Sequence, residues 1–168
     1  MSADMLSDDT LDSPYAAAGG DPAAGAPALV RRLGAAPGSH WVDAGGLDAF
    51  LARGGEQVLF FQGDAVRFPE VLDLAVVLPE LRQHAGQHHG RRFEIGLVTR
   101  ADEDALAARL AVVHWPSLVF LRQGRWVATV HGMLDWDVYL THLAEVFAKP
   151  ASRPPILLKP AAAGGGCH

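Results

Sequence analysis

Apolar and polar residues alternate regularly between residues 43 and 147, and this pattern predicts a mixture of helices and strands. Apolar residues at spacings of three and four predict helices at 43–51, 69–88, 101–110 and 135–147. Short apolar runs that end at turn residues predict strands at 57–62, 93–99, 117–122 and 125–130. Gln123 and Gly124, between the last two strands, are typical of a two-residue hairpin turn. The pattern therefore predicts a single α/β unit.

The composition of the chain changes at both ends. Residues 1–38 are rich in Ala, Gly, Asp, Ser and Pro, so ordering them would bury too little apolar surface to offset the lost conformational entropy. Residues 150–168 share this character. We expect a flexible N-terminal arm at 1–38 with a short helix around 28–33, a folded domain at 39–149, and a flexible C-terminal tail at 150–168. A chain of 168 residues has room for one ordinary core.

The distribution of charge argues against nucleic acid as a partner. The formal net charge is -5, and the acidic residues that precede the first basic residue, Arg31, are Asp4, Asp8, Asp9, Asp12 and Asp21. The remaining acidic residues equal the 14 basic residues in number, so no excess of Lys and Arg is left to neutralise phosphates.

Two features predict a cytoplasmic protein without membrane insertion. The chain has no run of about 18 apolar residues, the length that a membrane-spanning helix needs. Its first ten residues are acidic, whereas a secretion signal begins with basic residues.

The order of the predicted elements is that of the thioredoxin-like fold. This fold is a three-layer sandwich in which a mixed central β-sheet lies between helices. Residues 112–132 resemble the second half of a thioredoxin, where a proline in the cis form precedes the hairpin strand. Pro116 occupies that position, and we expect a cis peptide bond before it.

The dithiol of a thioredoxin is missing from this sequence. In a thioredoxin two cysteines begin the long helix, where the positive helix end lowers the thiol pKa. Counting back from Pro79 places the corresponding positions at Val71 and Leu74, neither of which can form a disulfide. The only cysteine is Cys167, in the C-terminal tail. We therefore expect no dithiol oxidoreductase activity.

Two alternatives use residues outside those positions. Cys167 is a candidate single-cysteine redox group, and with His168 it offers two soft metal ligands. His84 and His88 have the helical spacing of zinc or nickel ligands, and His89 follows. A polar helix end explains these histidines as well, because the dipole favours His and Arg there. We expect no resident metal, no cofactor and no catalytic residue, since no phosphate loop or nucleophile elbow is present.

Two segments of the chain carry a family resemblance. Residues 58–81 read VLFFQGDAVRFPEVLDLAVVLPEL, in which a loop of the form GD.xR.PE stands in place of the dithiol motif and runs into D.AV.LPEL. With HWPSLVFLR at 114–122 and the pair Asp135-Trp136, this sequence resembles the HyaE/HupG/HoxO family of hydrogenase maturation proteins. The resemblance extends from Trp41 to Phe147.

The resemblance implies a non-catalytic chaperone for the small subunit of a membrane-bound [NiFe] uptake hydrogenase. Proteins of this family are understood to bind the precursor of that subunit, including its twin-arginine signal peptide, before export. Another hydrogenase accessory protein is a further candidate partner.

A precursor of this kind presents two arginines and an apolar segment. Arginines prefer carboxylate partners in bidentate geometry, which makes Asp64, Glu70 and Asp73 candidate binding residues. Glu70 and Asp73 are three residues apart and share a helix face, although acidic residues are also favoured at any helix start. Arg67 lies among them and is a further candidate binding residue, with an internal ion pair to one of these acids as its alternative role.

The apolar part of a precursor needs an exposed apolar groove. Phe68, Trp115 and Pro116 are the candidates, because a thioredoxin receives an extended substrate in this region. Packing in the core is the alternative role for these three side chains.

Overall fold

The computed structural model describes residues 20–153. The expectations for Cys167 and His168, and for residues 1–19 and 154–168 of the two predicted flexible ends, lie outside the described residues.

A mixed five-stranded sheet forms the centre of the fold. Its strands are β1 Ser39–Val42, β2 Glu56–Phe61, β3 Glu94–Val98, β4 Ser117–Arg122 and β5 Arg125–His131. The strand order is β1-β3-β2-β4-β5. The first three strands run parallel, and β4 pairs antiparallel with both β2 and β5. The carboxyl ends of β1, β2 and β3 therefore meet at one end of the sheet.

Helices cover both faces of the sheet. They are α1 Ala28–Ala35, α2 Leu47–Ala52, α3 Glu70–His89, α4 Glu103–Leu110 and α5 Trp136–Ala148. The core on one face contains side chains of α1, α3 and α5, and the core on the other face contains side chains of α2 and α4. Successive residues of β2 alternate between them, with Phe60 in the first core and Leu59 and Phe61 in the second. The three-layer thioredoxin-like architecture predicted from the sequence is confirmed.

The folded part of the chain extends beyond residues 39–149 at both ends. The short helix expected around residues 28–33 is present as α1, and its Val30 and Leu33 are buried in the core against α3. This part of the predicted flexible arm is therefore packed on the domain, because two apolar residues at helical spacing can be buried against a neighbouring helix. At the other end the amide of Ser152 donates to the carbonyl of Trp126, so the described fold extends past residue 149.

The hairpin between β4 and β5 has the predicted two-residue turn. Gln123 and Gly124 both have positive φ, 51° and 72°, and Arg122 pairs with Arg125 across the turn. Positive φ at both central residues is the geometry of a type I′ turn. None of the described helices is long and apolar enough to cross a bilayer.

Gly96 of β3 gives a test of the packing between the sheet and α2. A Cβ at this position would lie 2.7 Å from Leu59 Cδ2 and 2.9 Å from Phe50 Cζ. We expect Gly96→Ala to lower the free energy of unfolding by about 1–3 kcal/mol, measured by urea denaturation, because the added methyl group overpacks the core. Gly45→Ala is the control, since its Cβ would meet no atom closer than 3.7 Å. Equal losses in the two variants would contradict this packing.

Candidate functional site

The loop of residues 62–69 joins β2 to α3 at the end of the sheet where the parallel strands finish. Gly63 has a φ of 71°, and a Cβ there would lie 2.8 Å from Trp115 Cβ and 2.9 Å from Phe68 Cδ2. Glycine is therefore required for both aromatic side chains to approach the loop backbone. This contact brings together Phe68 and Trp115, two of the apolar residues proposed from the sequence.

The segment before β4 lies against this loop. The peptide bond between Trp115 and Pro116 is cis, as the sequence predicts, and the carbonyl of Pro116 accepts a hydrogen bond from the amide of Gly132 at 2.8 Å. Pro116 is buried, so it packs and does not offer a free surface. Trp115 is half-buried, and its indole nitrogen is a buried donor without a partner among the described residues.

A buried carboxylate stabilises the loop through hydrogen bonds to its backbone. Glu103, at the start of α4, is 1% exposed and accepts hydrogen bonds from the amides of Gln62 and Gly63 at 3.1 and 2.8 Å. Its oxygen Oε1 also accepts from Arg100 Nη1 at 2.9 Å. Burial raises the pKa of Glu103, and Arg100 and the two amides oppose that rise.

The side chain of Asp64 shapes the loop. Its Oδ1 accepts a hydrogen bond from the amide of Val66 at 2.8 Å, and its carbonyl accepts one from the amide of Phe68 at 2.8 Å. This is the local turn that aspartate commonly forms with the backbone two residues ahead. One oxygen of this predicted partner-binding carboxylate is thus engaged within the loop.

The remaining charged candidates are exposed. Arg67 lies over the ring of Phe68, with its guanidinium carbon 5.5 Å from the ring centroid, and makes no ion pair with a described carboxylate. Glu70 and Asp73 occupy the first turn of α3 and are likewise free of ion pairs within residues 20–153. We refer to residues 62–70 with Asp73, Trp115 and Pro116 as the candidate surface.

The positions counted as equivalent to the thioredoxin cysteines lie beneath this surface. Val71 and Leu74 are both fully buried and pack in the core of α1, α3 and α5. The described residues contain no cysteine. Because Val71 and Leu74 are buried, the accessible surface at the start of α3 consists of the loop and the acidic first turn.

The contacts of His131 with Ser117 and His114, beside Pro116, were not expected from the sequence. The hydroxyl of Ser117 donates to the carbonyl of His114 at 2.5 Å and lies 2.9 Å from His131 Nδ1. The rings of His114 and His131 meet edge to face at 5.1 Å, and burial, followed by His114, lowers the pKa of His131. Ser117 is completely buried, so its hydroxyl orients His131 and is inaccessible as a nucleophile.

The histidines of α3 are close together but form no metal centre. His84 and His88 stack with ring centroids 4.2 Å apart, and the edge of Trp136 meets His84 at 6.0 Å. Within residues 20–153 no group of three or more His, Cys, Asp or Glu side chains is arranged to hold a metal ion.

Glu103→Gln tests whether the buried carboxylate supports the loop. In either orientation the new amide NH₂ would face a donor, the amide of Gln62 at the Oε2 position or the amide of Gly63 and Arg100 Nη1 at the Oε1 position. We expect the free energy of unfolding at pH 7 to fall by about 2 kcal/mol or more in urea denaturation. Asp104→Asn, an exposed neighbour in the same helical turn, should change it by less than about 0.5 kcal/mol. Equal changes in the free energy of unfolding in the two variants would show that Glu103 contributes only as a negative charge at the start of α4.

The pH dependence of this difference follows from the raised pKa of Glu103. Because the folded pKa lies above the ordinary value of 4.5, ionisation of Glu103 lowers the free energy of unfolding as pH rises from 4.5 through the folded pKa, and the loss expected in the variant at pH 7 is the part that remains. We expect the stability advantage of the wild type over Glu103→Gln to shrink over that window. An advantage that grows with pH would contradict the direction of the shift.

Comparisons with known proteins agree with this structure. The family model described as "Hydrogenase-1 expression protein HyaE" matches residues 29–139. The hydrogenase expression/formation protein HoxO of Cupriavidus necator is 46% identical over 145 residues, which cover 84% of this chain and 89% of that protein. HupG of Bradyrhizobium diazoefficiens is 36% identical over 117 residues, or 67% of this chain and 76% of that protein.

The fold has a solved relative in a mutant thioredoxin of Halobacterium salinarum. The TM-score is 0.52 at 23% sequence identity, with 70% of this chain and 98% of that chain covered. This likeness shows the fold alone. The family match, the sequence identities and the loop in place of a dithiol together show that the chain belongs to the HyaE family of hydrogenase expression proteins.

Proposed function

We propose that this chain is a non-catalytic maturation factor that binds the precursor of the small subunit of a membrane-bound [NiFe] uptake hydrogenase, together with its twin-arginine signal peptide, before export. A role in hydrogenase maturation follows from the family to which the chain belongs. The small-subunit precursor is the partner that the family resemblance implies, and the chemistry of the candidate surface supports that choice.

The observation that carries the proposal is the pair of free carboxylates at the start of α3. Glu70 and Asp73 are exposed, lie on one helical face, and have no described ion-pair partner. A twin-arginine signal supplies two adjacent guanidinium groups, which bind carboxylates in bidentate geometry. The pair of acids thus matches the pair of arginines in number and charge.

Exposed apolar side chains occur on the loop and on the segment that leads to Trp115. Val66 of the loop is 90% exposed, and Val113, just outside the candidate surface, is 50% exposed. Exposed apolar side chains near polar groups are typical of binding surfaces. These side chains suit the apolar stretch that follows the arginines of a signal peptide.

The guanidinium of Arg67 adds hydrogen-bond donors to the candidate surface. It is stacked on Phe68 and exposed, so it is free to donate to the carbonyl groups of a bound peptide.

The absence of a dithiol favours binding over redox chemistry. Val71 and Leu74 are buried apolar side chains, and the loop above them carries no thiol. The start of α3 therefore offers a partner acidic side chains to bind, and its described residues include no thiol that could act as a nucleophile.

The precursor with its signal peptide provides the test. We expect Glu70→Gln/Asp73→Asn to weaken its binding to the full chain about tenfold or more, as measured by isothermal titration calorimetry, because both carboxylate partners of the arginines are lost. Replacing the two signal arginines by glutamine should weaken wild-type binding to a similar extent. The effects of the two changes should overlap when they are combined.

Glu80→Gln/Asp137→Asn is the matched control. It removes the same charge from exposed positions outside the candidate surface, and the Kd should change by less than about twofold. Equal affinity for precursors with and without the signal peptide would overturn binding of the signal. Failure of both precursor forms to bind would overturn the small subunit as partner.

A further inference from the structure

Two adjoining cavities lie at the end of the sheet opposite to the candidate surface. The smaller, of about 180 Å³, is bounded by Ser39 at the start of β1, Ile95 near the start of β3, and Arg82 in the second half of α3. The larger, of about 400 Å³, extends along α3 to Gly90. Gln83 and Arg92 line both cavities, so the two form one continuous recess.

Arg82 is held at the wall of this recess by the backbone before β1. Its Nη1 donates to the carbonyl of Pro37 at 2.8 Å. Gly38 has a φ of 78°, and a Cβ there would overlap the guanidinium group. The amide of Ile95 donates to the carbonyl of Gly38 at 2.9 Å, which fixes this backbone against the sheet. Arg82 Nε remains buried without a partner among the described residues.

Arg92 reaches the same recess along a second glycine. A Cβ at Gly86, within α3, would lie 3.2 Å from Arg92 Cγ and 3.4 Å from its Nε. Glycine inside a helix is unfavourable relative to alanine, and here it makes room for the arginine side chain. Each arginine side chain thus packs against a glycine, Arg82 against Gly38 and Arg92 against Gly86.

Neither guanidinium has a counter-charge in the part of the chain that the structure describes. No Asp or Glu lines either cavity, and neither Arg82 nor Arg92 forms an ion pair there. Glu94 precedes Ile95 in β3, so its side chain points to the opposite face, where it pairs with Arg53. The neighbouring Arg91 contacts Glu56.

The recess also contains an unused hydroxyl group and an apolar wall. Ser39 Oγ is buried without a hydrogen-bond partner among the described residues. Leu33 and Ile95 supply apolar surface beside it. Two guanidinium groups and a hydroxyl can together donate to several oxygens of one anion.

We propose that this recess binds an oxyanion, a carboxylate or phosphate group, between the guanidinium groups of Arg82 and Arg92, with Ser39 as an additional donor. The planar arrangement of guanidinium donors matches the oxygens of both groups. The apolar wall accommodates the hydrocarbon part of an organic acid or ester. This site is separate from the candidate surface, and it does not depend on the proposed binding of a hydrogenase precursor.

The test is a titration of the full chain with inorganic phosphate and, separately, with butyrate, at constant ionic strength with chloride as the competing salt. We expect saturable changes in the NMR shifts of the amides of Gly38, Ser39 and Gly86. The anion with the lower Kd identifies the source of the oxyanion. Shifts that rise linearly without saturation for both anions would overturn the proposal.

Variants assign the binding to the two arginines. Arg82→Gln/Arg92→Gln should weaken binding by about tenfold or more. Arg109→Gln/Arg125→Gln removes the same charge elsewhere and should change the Kd by less than about twofold. Equal weakening in both double variants would overturn the site. Because Arg82 packs against the backbone, the single variant Arg92→Gln, at an exposed position, provides a second measurement and should weaken binding in the same direction.

The same variants separate this proposal from the function proposed above. Arg82→Gln/Arg92→Gln should bind a hydrogenase precursor with wild-type affinity, and Glu70→Gln/Asp73→Asn should retain oxyanion binding. Loss of oxyanion binding in the second variant would overturn the assignment to the recess.

Discussion

The carboxylate of Glu103 determines where the loop after β2 lies. The amides of Gln62 and Gly63 have no strand partner at that point, and a buried acidic group from α4 accepts hydrogen bonds from both. Arg100 supplies the opposing charge that makes such burial tolerable. Gly63 can then lie between Phe68 and Trp115, and the acidic first turn of α3 follows at a fixed position. The candidate surface thus depends on one partly buried ion pair beneath it.

Most of the fold could be predicted from local patterns in the sequence. The long helix, the two central strands and the hairpin have strong periodicity or turn residues, and the structure contains them near the expected bounds. Strand β1 was missed because its four residues, Ser39–Val42, show no apolar run, and pairing with β3 stabilises it. Helix α1 was expected as a short helix, but its packing on the domain was missed because this burial depends on α3, which local sequence does not reveal.

The candidate surface was predictable in part. The loop residues and the acids of α3 are adjacent in sequence, whereas the support from Glu103 comes from 40 residues away and acts on backbone amides, which leave no signal in side-chain identity. One signal was available: Glu103, Leu106, Ala107 and Leu110 have the spacing of a single buried face. Asp64 looked like a binding carboxylate, but its hydrogen bond to Val66 shows that it also forms the turn.

The two ends of the described chain leave the domain at opposite ends of the sheet. Gly25, just before α1, lies next to the side chain of Arg100, close to the loop that Glu103 supports. Ser152 instead lies beside Trp126, near the hairpin turn at the far end of the sheet. A fluorophore attached at residue 25 would therefore lie near the candidate surface. The same fluorophore attached at residue 153 would lie at the distant end of the sheet.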